Sequence, residues 1–314
     1  MIIKTLIKII LQENSYKKIT GDVLTLGPQT LPLSIKELDM IIQNYNVKLK
    51  TGTSKRYPVP SMDKQASAEY FFKQLGANKV DAIDVTLEAG ANIQHNLNNQ
   101  IDENKYQKYD FIFDGGTFDH LINLENAFDS ISKLLKPGGR IIMWNATSNY
   151  IGAAYIMFGP DLFYDYFVTN KYKDCKVYIF REKNNYPNAL RECFYLINGV
   201  SKKLNNKAKQ SVVVIAEKGN EIENNTLPVE RSYRPDFMNL SFIENEKKIK
   251  SSVRPILKGK ITFYRNFINK INILYYLYFE FFKILKKTKN PINFKKKFKR
   301  KLKKIIDYKY LGMI

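Results

Sequence analysis

Short apolar runs alternate along this chain with segments of helical spacing. GDVLTLG (21–27) is a nearly continuous apolar run ending at Gly27, as a buried strand would be. LSIKELDMIIQNY (33–45) sets Leu33, Ile35, Leu38, Ile41 and Ile42 on one helical face. DKQASAEYFFKQLGA (63–77) predicts a second helix, with Asp63 as its N-cap and Gly76 as its stop. KVDAIDV (79–85) alternates like a strand, ANIQHNL (91–97) predicts a third strand, and YDFIFD (109–114) a fourth. In NLENAFDSISKLLKPGG (123–139), Leu124, Ala127, Phe128, Ile131, Leu134 and Leu135 share a face between an Asn123 cap and a Pro-Gly-Gly stop. RIIMWN (140–145) predicts a fifth strand, and GPDLFYDYFV (159–168) opens a helix at Pro160. CKVYIF (175–180) and SVVVIAEK (211–218) are late strands without a clear crossover pattern, expected to pair antiparallel at an edge. The first twenty residues open with MIIKTLIKIILQ, an apolar stretch with lysines inside it. It lacks the basic start and small-residue cleavage site of a secretory signal, and predicts a packed or interfacial helix.

Strands alternating with helices predict a Rossmann-like, doubly wound α/β fold over residues 21–220. The sheet is expected to be mostly parallel, with an antiparallel edge strand. Ligands of such sheets bind beyond the carboxyl ends of the strands. Gly27, Asp84, Asn96, Asp114 and Asn145 all fall at or just past such ends, so residues far apart in sequence are predicted to share one edge.

Charge divides the chain differently. The net charge is +21, but residues 251–314 hold eighteen basic and two acidic residues, leaving the first 250 near balance. Residues 221–250 read as a linker into this basic, amphipathic helical tail. Two cysteines form neither a disulfide framework nor a zinc spacing, which fits a reducing, cytoplasmic setting.

The stretch YDFIFDGGTFDHLINLENAFDSISKLLKPGGRIIMWN follows the fourth strand, helix, LKPGG turn and fifth strand of a known family in order. Residues from about 21 to 218 resemble the class I S-adenosylmethionine-dependent methyltransferases. They are similar in particular to methyltransferase-like proteins of surface-glycan biosynthesis clusters, which carry a comparable DGGTxEH stretch. The resemblance implies S-adenosyl-L-methionine as cofactor and a small-molecule or glycan acceptor, including a lipid-linked glycan. It also has a departure: the loop LGPQTLP keeps one glycine, Gly27, and Pro28 removes an amide donor.

Under that resemblance Asp84 accepts hydrogen bonds from ribose hydroxyls, and otherwise caps the turn after its strand. Asn96 either reads the adenine edge or closes an Asx-turn. Gly115 and Gly116 let cofactor or substrate approach the backbone, and Asp114 orients a water or the cofactor's ammonium. Asp119 and His120 are the sharpest pair. His120 is expected either as general base toward an acceptor hydroxyl or amine, or as a histidine fixed by its loop. Only one acid and one histidine match the metal-binding variants of the family, so no metal site is assigned. Asn145, Ser148, Asn149 and Tyr155 are the polar groups of an apolar, aromatic segment expected to roof the acceptor.

The tail runs INILYYLYFEFFKILKK (271–287), then FKKKFKRKLKKII (294–306). It predicts an interfacial helix on anionic lipid, placing the protein at the inner face of the membrane. A nucleic-acid arm and a solvated extension are the alternatives. Three functions therefore stand open: a methyltransferase for a small molecule or glycan, a non-catalytic scaffold of the same fold, and an RNA methyltransferase anchored by its tail.

Overall fold

The computed structural model describes residues 1–52, 65–182, 191–196, 204, 207–220, 225–256 and the backbone of 308–313. Helix α1 (Lys4–Tyr16) precedes β1 (Gly21–Leu26), β2 (Thr30–Leu31), α2 (Ile35–Gln43), β3 (Ala66–Ser67), α3 (Ala68–Leu75) and β4 (Ala77–Asp84). Then come β5 (Ile93–Gln94), β6 (Tyr109–Asp114), a 3-10 turn (Phe118–His120), α4 (Leu124–Leu134), β7 (Leu135–Ser148) and α5 (Pro160–Thr169). The chain ends with β8 (Lys173–Glu182), β9 (Arg191–Leu196), β10 (Gln210–Glu217), α6 (Asp236–Ser252) and β11 (Tyr308–Met313).

Nine strands form one sheet in the order β11-β9-β8-β10-β7-β6-β1-β4-β5. β5, β4, β1, β6 and β7 run parallel. β10 pairs antiparallel with both β7 and β8, the arrangement expected of the two late strands, and β9 and β11 extend that side. The fold is thus the doubly wound α/β sheet, parallel on one side and antiparallel on the other, with helices on both faces. β1 lies between β4 and β6, so the chain reverses its direction of travel across the sheet there. This is the switch point where such sheets open a crevice.

Alternation along the strands explains the two cores. Leu24, Leu26, Ile112, Ile141 and Met143 face α4, α5 and α6. Val23, Phe111, Phe113, Ile142 and Val213 face α1, α2 and α3. The N-terminal helix is packed rather than displayed: Leu6, Ile7, Ile10 and Leu11 are fully buried. Some boundaries differ from those the sequence suggests. α3 starts at Ala68, where the Ser67 hydroxyl accepts from Tyr70 N at 3.1 Å, a cap the spacing alone did not single out. Asp63 lies outside the described residues. The third strand shrinks to two residues, and β7 starts at Leu135 and continues to Ser148. Residues 236–252, read from sequence as linker and tail, form α6, which packs Phe242 and Ile249 into the core. The runs 271–287 and 294–306 lie outside the described residues. Among the described residues no helix is long and apolar enough to cross a membrane.

Candidate functional site

The site is built at the carboxyl edge from the ends of β1, β4, β6 and β7. β1 leaves the sheet through Gly27, whose φ of +71° strains any residue with a side chain. A Cβ there would point among Gln29 Nε2 at 3.5 Å, Thr117 Oγ1 at 3.5 Å and Asp84 Oδ2 at 3.6 Å. Three polar side chains from three loops therefore converge on a residue that has none. Asp84 is half-buried, and one of its oxygens accepts from Val85 N at 2.6 Å. The Thr117 hydroxyl donates to Leu26 O at 2.8 Å, which ties the loop after β6 to the end of β1.

At the end of β6 the chain enters a buried polar knot. Asp114 is fully buried. Its Oδ1 accepts from Gly116 N at 3.2 Å and Thr117 N at 2.8 Å. Its Oδ2 accepts from Asn145 Nδ2 at 2.7 Å. Asn145 Oδ1 in turn accepts from Asp119 N at 3.1 Å, and Asp119 Oδ2 accepts from Ala146 N at 3.0 Å. The other Asp119 oxygen, Oδ1, is buried without a hydrogen-bond partner. It lies 3.7 Å from His120 Nε2 and 3.8 Å from where a Cβ on Gly116 would stand. Burial pushes Asp114 up to about 7 against the pull of the Thr117 amide and Asn145, and the charge of Asp119 adds to the rise. Burial likewise raises Asp119, opposed by the Ala146 amide and by His120.

An amine already sits beside these acids. The α-amino group of Met1 donates to Gln29 Oε1 and, at 3.4 Å, to the Gly115 carbonyl. Burial lowers its pKa to about 6, while Asp114 and Asp119 pull the other way. Gln29 is 7% exposed, and its Nε2 donates to Leu26 O at 2.8 Å. A Cβ on Gly115 would lie 2.7 Å from Gln29 Cδ, so the absence of a side chain at Gly115 is what admits Gln29.

The structure distributes the sequence-predicted residues unevenly. Gly27, Asp84, Asp114, Gly115, Gly116, Asp119 and His120 come together at the carboxyl edge. His120 is half exposed, with the Tyr155 ring edge-on at 6.3 Å, and Tyr155 and Ile156 donate their amides to Asp119 O. Asn145 sits beneath this surface and uses both amide atoms to join the two acids. Ser148 and Asn149 lie at the far end of β7, where Asn149 Nδ2 donates to Ala208 O at 2.8 Å. Asn96 is exposed, and its Oδ1 accepts from Asn98 N at 3.0 Å in an Asx-turn. The nearby Asn98 Oδ1 holds Ile122 N and Asn123 N, both at 2.9 Å, fastening the loop after His120. Among the described residues no cluster of three or more His, Cys, Asp or Glu side chains is placed to hold a metal.

Three residues of the site escape a reading by motif: Gln29, Thr117 and Trp144. Trp144 is the single tryptophan of the chain. Its Cε3 lies 3.9 Å from the Cβ position of Gly116, and its Nε1 donates to Ser211 Oγ at 2.7 Å. The signal for Gln29 and Thr117 was their neighbourhood alone, two residues and one residue from assigned glycines.

No protein-family model matches the chain, and no curated protein does. Three solved structures similar to it are methyltransferases. A SAM-dependent methyltransferase from Archaeoglobus fulgidus is 15% identical over 68% of this chain and 94% of that one, with a TM-score of 0.38. Phosphoethanolamine N-methyltransferase 2 of Haemonchus contortus, in complex with S-adenosyl-L-methionine, is 11% identical, with a TM-score of 0.40. It is matched over 69% of this chain and about half, 53%, of its own. The 1,6-didemethyltoxoflavin-N1-methyltransferase of Burkholderia thailandensis, with bound 1,6-didemethyltoxoflavin and S-adenosylhomocysteine, is 13% identical over 68% and 76%, with a TM-score of 0.34. At such identities and TM-scores, the fold assignment rests on the strand order and connections of this chain.

Proposed function

We propose that the protein transfers a methyl group from S-adenosyl-L-methionine to a small-molecule acceptor. The observation that carries this reading is the arrangement around Gly27. On one side lies Asp84, a carboxylate suited to a vicinal diol. On the other, Gln29 and the Gly115 carbonyl hold an amine beside two acids. A ligand with ribose hydroxyls at one end and an amino-acid ammonium at the other matches both ends of this crevice. The Asp119 Oδ1 without a hydrogen bond and the missing side chain at Gly27 fit a group that enters here.

When bound, that cofactor supplies a methyl group already activated by a positively charged sulfur. The chain's own tasks are then to align the acceptor and to exclude water. Gly116, where nothing stands within 3.7 Å of the Cβ position, lets the reacting groups come close to the backbone. Asp119, fixed through Ala146 N, directs its free oxygen toward His120 Nε2. His120 stands at the surface beside Tyr155, in place to accept a proton from an acceptor hydroxyl or amine. A glycan acceptor is supported by the DGGTFDH resemblance alone, and contact with an anionic membrane by the charge of residues 251–314.

Titration with S-adenosylhomocysteine, read by Trp144 fluorescence, tests the reading. Saturable binding that Gly27→Val abolishes is expected, because a side chain there would meet Asp84, Gln29 and Thr117 in a left-handed backbone. No binding by the parent protein would return the fold to a scaffolding role. Sedimentation with phosphatidylglycerol vesicles, compared with binding to RNA at low and moderate salt, separates a membrane role of the tail from a nucleic-acid one. Only the RNA contact should collapse steeply with salt.

A further inference from the structure

We infer that Gln29 is the residue that recognises the cofactor's α-ammonium, taking over a task for which this loop has no run of glycine backbone. The inference rests on the proposed function and concerns a side chain that no motif of the chain marks.

The geometry is specific. The Gln29 amide is pinned at one end, Nε2 to Leu26 O at 2.8 Å, which leaves Oε1 turned toward Gly115. Two neutral acceptors, Gln29 Oε1 and the Gly115 carbonyl, then converge on one point. Converging buried acceptors need a donor, and here an amine supplies it: the α-amino group of Met1 bonds both. That nitrogen marks where an amine sits at this edge. The acids supply the field, since both Asp114 and Asp119 attract it.

The residue type is informative as well. A third carboxylate at position 29 would stand near Asp114 and Asp119 in a dry site, where like charges oppose ionisation. Glutamine accepts from a cation without adding charge. Its hold on Leu26 O also fixes the oxygen before the ligand arrives, so little freedom is lost on binding. The loop thus replaces several backbone donors and acceptors with one preoriented side chain, and Gly115 is the space that lets it reach.

Two probes separate this role from mere packing. S-adenosylhomocysteine carries the α-ammonium, whereas 5′-methylthioadenosine shares its adenosine thioether and lacks the amino-acid end. Gln29→Met keeps the volume and removes both polar atoms. Affinity for S-adenosylhomocysteine should fall roughly ten- to a hundredfold, the range of a hydrogen bond to a charged group. Affinity for 5′-methylthioadenosine should stay within about twofold, as expected when no contact to it is lost. Gly115→Ala provides the second variant, because its Cβ would push Gln29 aside, and the same selective loss is expected. If Gln29→Met fails to fold, Gly115→Ala carries the test. Equal losses for both probes, or none, would overturn the inference while leaving the cofactor site standing. A parent protein that binds neither probe would instead overturn the proposed function.

Discussion

The two edges of the sheet treat buried charge in opposite ways. At the amino edge, Glu13 of α1 is shared by Arg140 and Lys176, the latter at 2.7 Å. Lys176 reaches Asp174 at 3.3 Å, and Asp174 reaches Arg254 at 3.1 Å. Arg254 meets Glu217 at 2.7 Å, and Glu217 meets Lys17 at 3.1 Å. Every charge in this chain of seven side chains has a partner of opposite sign. At the carboxyl edge, two acids lie buried with half-exposed His120 and an amine for company, and one oxygen has no hydrogen bond. The protonation equilibria show the contrast. Burial pushes Glu217 up, but the Arg254 and Lys17 hydrogen bonds overcome it and leave it below its ordinary value. Burial pushes Asp114 up, and its hydrogen bonds do not overcome it. A closed ion network holds elements together, here α1, β7, β8, β10 and the segment after α6. The acids of the carboxyl edge have only a half-exposed histidine and one amine opposite them.

The largest effect should come from breaking the closed network. Glu13→Ala leaves Arg140 and Lys176 buried without their carboxylate, which costs about 3–5 kcal/mol. Urea unfolding should show the loss, while the protein that remains folded binds S-adenosylhomocysteine as the parent does. A normal unfolding curve would mean that the network is not what holds α1.

His120→Ala attacks the other edge and should leave stability within about 0.5 kcal/mol, since the ring is half exposed. Turnover should drop by on the order of a hundredfold, the low end of general-base effects. Cofactor affinity should be unchanged. Full activity in this variant would make His120 a loop residue that Asp119 merely touches.

Asp84→Ala should weaken S-adenosylhomocysteine at least about tenfold, equal to one or more charge-assisted hydrogen bonds of about 1.5–3 kcal/mol. The thermal midpoint of the free protein should scarcely move. Undiminished affinity in a folded variant would remove Asp84 from the ribose.

A further test reads a slope that sharpens the comparison. The folded protein holds the Asp114 proton up to about 7, against an ordinary 3.8. Between those values it binds a proton the unfolded chain has released, so this group's stabilisation fades as pH rises from about 4 to 7. Glu217 works in the reverse direction: its stabilisation is present above its ordinary value and fades as pH falls. Urea unfolding at several pH values should therefore show the stability difference between Asp114→Asn and the parent move in favour of the variant as pH rises from about 4 to 7. An identical pH profile would show that Asp114 is ionised and satisfied.

Much of the fold was legible because hydrophobic period reports backbone geometry directly. YDFIFD gave β6 to the residue, and the Asn123 cap gave the start of α4. Elements with mixed signals were harder to read. α6 exposes Phe237 and Leu240 while burying Phe242 and Ile249, so its apolar residues define no single face. β9 borders the segment 183–190 and carries Arg191 and Glu192 inside a strand pattern. Those charges are compatible with a strand because they pair across to Glu182 and Arg181.

The site divides along the same line. From sequence alone came the edge and its members at strand ends: Gly27, Asp84, Asp114, Gly115, Gly116 and the Asp119–His120 pair. Strand direction fixes which ends converge, and direction follows from alternating strands and helices. Tertiary structure alone decided how each member is used. It placed Asn145 between two acids, closed Asn96 into a turn and left one oxygen of Asp119 without a hydrogen bond. It also brought Gln29 across to Gly115 and set Trp144 beside Gly116. The physical reason is that hydrogen-bond direction and burial depend on contacts between residues tens of positions apart. Spacing along one chain carries no record of which oxygen ends up facing which donor.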